Sequence, residues 1–204
     1  MASHSQIITA MQYFRTLTRR RPAGPPTIEY HLARDNKMRE VVILVYPPHV
    51  FRPIGAHSWG PTHLHWSLSW RADEGGWVHL HVDTEDTPHD PQHRQRYVYR
   101  GPEFKTADLE DASTREAHQV SLGVIPPWFR ERIVELASSV DVAEPHGYGS
   151  SRCWVIDLLR EVMHDGIIKD AMFDEVVEGA EKAAKKLLAD GCEEGISGED
   201  VDCE

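Results

Sequence analysis

The first signal along the chain is alternation. From Thr62 to Trp70, His63, His65, Ser67 and Ser69 fall on one side, and Leu64, Trp66, Leu68 and Trp70 on the other. That is the period of a strand with two unlike faces. Asp73-Glu74-Gly75-Gly76 has the composition of a turn. Alternation resumes over Trp77–Asp83, with Trp77, His79, His81 and Asp83 on one face and Val78, Leu80 and Val82 on the other. The two segments together predict a β-hairpin. Glu40–Tyr46 reads differently. Val41 to Val45 is a continuous apolar run, the pattern of a central strand covered on both faces, and Pro47-Pro48 ends it. Further strands are expected over Thr27–Ala33, Arg96–Arg100 and His118–Val124.

The period then changes to that of helices. Pro126 and Pro127 sit where a helix begins, and Phe129, Ile133, Leu136 and Val140 form one stripe over Trp128–Val140. A second helix is expected from Arg152 to His164, with Val155, Ile156, Leu158, Leu159 and Val162 as its apolar stripe and Gly166 as its stop. A third, amphipathic helix runs from Asp170 to Ala189. Strands come first and helices last. The fold class is α+β: an antiparallel sheet of about five to six strands packed against two to three helices.

Length and charge divide the chain further. Its 204 residues suit one domain, and the net charge is -11. Residues 1–26 carry four arginines and no acid, and Pro22, Gly24, Pro25 and Pro26 end them. This is expected to be a flexible basic segment. Residues 27–189 form the single α+β domain. Residues 190–204 hold seven acids and no base, with three glycines. A tail of that composition buries too little surface to offset its ordering entropy, so disorder is expected. The net acidity argues against nucleic acid as partner. No apolar run is long enough for a membrane span. Three cysteines do not make a disulfide framework, which favours the cytoplasm. The alternative is mitochondrial, because Ile7, Ile8, Met11 and Phe14 precede the arginines at helical spacing in an acid-free leader. The oligomeric state is left open.

Two features carry chemistry. The chain has 13 His, and four of them (His63, His65, His79 and His81) project from one hairpin. Residues i and i+2 share a face and the turn brings the pairs together, so these imidazoles converge on one patch. The second feature is Cys153, in the first turn of a helix after Gly147-Tyr148-Gly149-Ser150-Ser151. Partial positive charge at a helix start favours the reactive thiolate, and a neighbouring imidazole does so further. Cys192 and Cys203 lie among acids in the tail and are poor nucleophile candidates.

A strand His-Trp, a His on the following strand and a Cys later at a helix start resemble the circularly permuted papain-like thiol enzymes. These are the lecithin:retinol acyltransferase-like relatives of the NlpC-type peptidases. The matching residues are His65-Trp66, then His79 or His81, then Cys153, within roughly residues 60–165. The stretch into Ser151-Arg152-Cys153-Trp154 also looks like a motif of uncharacterised fungal proteins with a His-Trp strand. The papain-like resemblance implies a thiol-dependent hydrolase or acyltransferase acting on a small ester, thioester or amide. Cys153 would attack, His65 would take its proton and His79 or His81 would orient the base. Trp66, His81, Trp154 and His63 would contact a small-molecule substrate, with no cofactor.

Two other readings use the same residues. His63, His65, His79 and His81 form an alternative set of metal ligands, since two His-x-His strands can supply three or four imidazoles. Alternatively, the six tryptophans line a pocket or partner groove of a non-enzymatic binding domain.

Overall fold

The computed structural model describes residues 35–48, 64–72, 75–86, 95–105, 112–142 and 150–193. In chain order the elements are β1 (Arg39–Val45), β2 (Trp66–Arg71), β3 (Trp77–Leu80), β4 (Asp83–Asp86), β5 (Gln95–Val98), β6 (Glu103–Lys105), α1 (Ala112–Glu116), β7 (His118–Ile125), α2 (Pro127–Ala137), α3 (Ser151–His164) and α4 (Asp170–Glu193). Five strands make one antiparallel sheet in the order β6-β3-β2-β1-β7, and β4 and β5 pair separately. The α+β class and the antiparallel sheet are as expected.

The apolar run of β1 has a simple cause. It sits between β2 and β7, and both its faces are covered. Val41, Ile43 and Val45 join Trp66, Leu68, Trp70, Val78 and Leu80 on the face that receives the helices. Val42, Leu44 and Tyr46 point the other way, into a second cluster with Trp77 and Ala117. Helix α3 packs on β2, α4 on β1 and β7, and α2 on α3. The α3 stripe of Trp154, Val155, Leu158, Leu159 and Val162 is buried there, much as its periodicity predicts.

Several element boundaries moved, each for a local reason. Helix α2 ends at Ala137, short of Val140. Ser138 and Ser139 follow, and their hydroxyls donate to the Val134 and Leu136 carbonyls at 3.2 and 2.7 Å. Such local bonds compete with the helix ladder. Helix α4 continues to Glu193, four residues into the segment expected to be disordered. Strands β4 and β6 and helix α1 were not anticipated, because three to five residues are too few to display a period. The strand expected over Thr27–Ala33, the basic segment 1–26 and the remaining tail lie outside the described residues.

The hairpin joining β2 to β3 is tight against β6. A Cβ on Gly76 would lie 2.4 Å from the Lys105 carbonyl oxygen and 2.7 Å from Phe104 Cζ. Gly76→Ala is therefore expected to cost about 1–3 kcal/mol, the range for overpacking. Urea unfolding measures it, and a cost near zero would show that β6 moves aside freely.

Candidate functional site

The β2–β3 register assembles the imidazoles. Ser69 pairs with His79 and Arg71 with Trp77, so Ser67, Ser69, Trp77 and His79 share the sheet face opposite α3 and α4. The Tyr46 N–H donates to the His65 carbonyl at 3.0 Å, which continues the β1–β2 ladder one pair beyond β2. His65 thereby joins the same face beside Tyr46, with ring centroids 5.3 Å apart. The His65 and His81 rings meet edge to face at 5.1 Å, and His79 and His81 at 6.4 Å. His81, one of the two residues expected to orient His65, thus stands next to it.

Each ring is fixed differently. His79 is fully buried, and its Nδ1 lies 2.9 Å from Ser69 Oγ and 3.4 Å from Tyr46 Oη. Ser69 in turn bonds Ser67 at 2.9 Å, and Ser67 bonds Tyr46 at 3.2 Å, closing a hydroxyl chain beneath the ring. Among the described residues, the Nε2 of His79 has no hydrogen-bond partner. His81 Nε2 lies 2.9 Å from Glu103 Oε2, and its Nδ1 lies 3.3 Å from Asp83 Oδ1. Lys105 also reaches Glu103, at 3.5 Å.

Burial sets the charge state. Desolvation, then the neighbouring Lys105 and His81, push His79 from its ordinary 6.5 down to about 3. Desolvation, then His81, Lys105 and His79, hold His65 well below its ordinary value. Both are therefore neutral at pH 7, and the same burial makes each a weaker base than a free imidazole. The hydrogen bond from His81 holds Glu103 down to about 2 against its own desolvation. Glu103, Tyr46 and Ser67 escaped the sequence reading. Glu103 lies on a three-residue strand, and its only signal is pairing with His79 across β3 and β6.

The first turn of α3 meets this corner. Among β2 residues, Trp66, Leu68 and Trp70 direct their N–H groups toward β3, because Tyr46 and His65 are the bonded pair on the β1 side. Strand β3 pairs with Leu68 and Trp70 but ends at Leu80. The Trp66 N–H donates instead to Ser151 Oγ, at 3.1 Å. Helix α3 is thus wedged by its first residue into the opening between β2 and the departing chain. Ser150 caps the helix, its hydroxyl accepting the Cys153 N–H at 3.3 Å. Arg152 ion-pairs with Glu181 and lies over the Trp66 ring at 5.8 Å.

Cys153 points elsewhere. It is half-buried, lines a small pocket with Val82, Tyr97, Val142 and Trp154, and accepts a hydrogen bond from Ser150 Oγ at 3.5 Å. Desolvation, reinforced by nearby Cys153, raises the Tyr97 phenol above its usual range. The structure brings His65, His79 and His81 together. Trp66 and Trp154 lie in the core on the helix side, where Trp154 stacks on Tyr99 at 4.9 Å. His63 falls outside the described residues, as does most of the loop before β2. Among the described residues, no group of three or more His, Cys, Asp or Glu is arranged to hold a metal ion. The ring nitrogens explain this in part. Nε2 of His81 bonds Glu103, and Nδ1 of His79 faces Ser69.

Comparison with protein-family models, curated proteins and solved structures finds no match for this chain. Among the described residues, no helix is long and apolar enough to cross a membrane.

Proposed function

We propose that this chain is an acyl-transfer enzyme, a hydrolase or acyltransferase for a small ester, thioester or amide. Its base is the His65 imidazole, and its nucleophile comes from the first turn of α3. The observation that supports the reading is the hydrogen bond from Trp66 N–H to Ser151 Oγ, which ties the first turn of α3 to the backbone amide that follows His65. His65 takes the proton of the attacking group as that group bonds to the substrate carbonyl carbon. His81, held by Glu103, packs edge-on against His65 and orients it. Helix-start N–H groups favour the developing oxyanion, and His65 returns its proton to the leaving group. The sequence points to Cys153 as a thiol nucleophile, and a relation to the permuted papain-like enzymes is part of the same reading. The compartment we assign is the cytoplasm.

The test is hydrolysis of p-nitrophenyl acetate and of an acyl thioester by the full-length protein. We expect turnover above the buffer rate, and His65→Gln to lower kcat/KM by about 10²–10⁴-fold, the range for a lost general base. The acid limb of kcat/KM should lie well below pH 6.5, since His65 stays neutral there. Wild-type turnover no faster than buffer, or an unchanged His65→Gln rate, would sink the reading.

A further inference from the structure

The geometry points to Cys153 as a modification site, a thiol that hydrogen peroxide oxidises to sulfenic acid with Tyr97 as the proton donor beside it. This chemistry does not rest on the acyl-transfer reading. The His79 ring lies on the sheet face opposite α3, so the reactivity of this pocket comes from its own lining.

The start of α3 prepares the sulfur. Ser150 caps the helix, and its hydroxyl accepts the Cys153 N–H at 3.3 Å and donates to Sγ at 3.5 Å. The partial positive charge of the helix start and this donor both favour the thiolate, the form that attacks a peroxide. Cys153 is half-buried and lines a small pocket.

The rest of the lining suits a small, uncharged, oxygen-rich reactant. Asp141 and Asp157 line the pocket, so an anionic reactant is repelled and a neutral one is not. Tyr97 stands close to the sulfur. Desolvation, then Cys153, raise its phenol above the usual range, so it keeps its proton at pH 7 and can donate it. Trp154 forms another wall. It is 3% exposed, and among the described residues its Nε1–H has no hydrogen-bond partner. A buried donor left without an acceptor is an independent sign of a ligand. Peroxide brings two oxygens, one for the indole N–H and one for the phenol.

The step balances with peroxide as the oxidant. Sulfur attacks one peroxide oxygen, the S–O bond forms and the O–O bond breaks. The departing oxygen takes a proton from Tyr97, which the thiol proton replaces. One thiol and one hydrogen peroxide thus give one sulfenic acid and one water, with sulfur oxidised and peroxide reduced.

Dimedone, which traps sulfenic acid, tests this on the full-length protein treated with hydrogen peroxide, with adducts mapped by mass spectrometry. We expect the adduct on Cys153 ahead of Cys192 and Cys203. Tyr97→Phe keeps the ring and removes the donor. It should slow peroxide oxidation of Cys153 by about 10-fold, the worth of one hydrogen bond to developing charge. Alkylation by iodoacetamide should be unchanged in the same variant, because iodide departs without a proton, and that rate also reports an intact pocket. Adducts on Cys192 or Cys203 with Cys153 unlabelled would overturn the inference. So would a Tyr97→Phe variant that slows both reagents alike, or neither. Ester hydrolysis by the untreated protein is followed in parallel, and its absence would sink the acyl-transfer reading while leaving this site standing.

Discussion

Acidification from pH 7 to pH 5 is expected to destabilise the fold through His79, by about 1.4 kcal/mol for each pH unit below 6.5. The sign follows from proton counting. In the unfolded chain the imidazole takes a proton near its ordinary 6.5, whereas in the fold it does so only near 3. Between those values the unfolded state binds more protons, so stability is full above 6.5 and is lost as pH falls toward 3. At pH 5 the loss from this one residue is about 2 kcal/mol. His65, held down by desolvation and by His81, acts in the same direction. Glu103 adds to it only below its ordinary carboxylate range, where the unfolded chain takes up a proton that the fold refuses until about 2. Urea unfolding at pH 7.5 and pH 5.0 measures the slope, and His79→Gln should flatten it. An identical pH slope in that variant would show that the ring titrates normally in the fold.

Arg130→Met is expected to cost about 3–5 kcal/mol, the range for breaking a buried ion pair from one side. Arg130 is 3% exposed, and its guanidinium donates to the Lys37, Ile125 and Asp35 carbonyls at 2.8, 2.8 and 3.1 Å. It also pairs with the Asp35 carboxylate at 2.9 Å and lies over the Trp70 ring. Removing it takes a donor from three carbonyls and, among the described residues, leaves Asp35 paired with Arg39 at 3.0 Å. The residue ties the chain before β1 to the junction of β7 and α2, so the loss should appear as global destabilisation. Asp35→Asn in the Arg130→Met background should recover part of it, because the uncompensated buried charge is then gone. No recovery in the double variant would place the cost in the carbonyl bonds instead.

Much of this was legible along the chain. Alternation over residues 62–70 and 77–83 predicted the hairpin, and it sorted Ser67, Ser69, Trp77 and His79 onto one face. The continuous run Val41–Val45 marked the central strand. The stripe of α3 marked the helix that covers β2. These signals are local, since period and face follow from backbone geometry. What escaped was short or distant: three-residue β6, and with it Glu103 against His81. Arg130 carries no such signal, because nothing near it in sequence announces Asp35.

The sequence by itself determined which residues share a face, and so that several imidazoles converge. It did not determine which ring would touch which, because that depends on where β3 ends and β6 begins. Nor did it single out Ser151. A serine beside a capping serine carries no signal until β2 and β3 separate and leave the Trp66 N–H without a strand partner. The cysteine was conspicuous in the sequence through its chemistry. The serine became conspicuous only in the fold, because a buried backbone donor must be satisfied by whatever the tertiary packing brings to it.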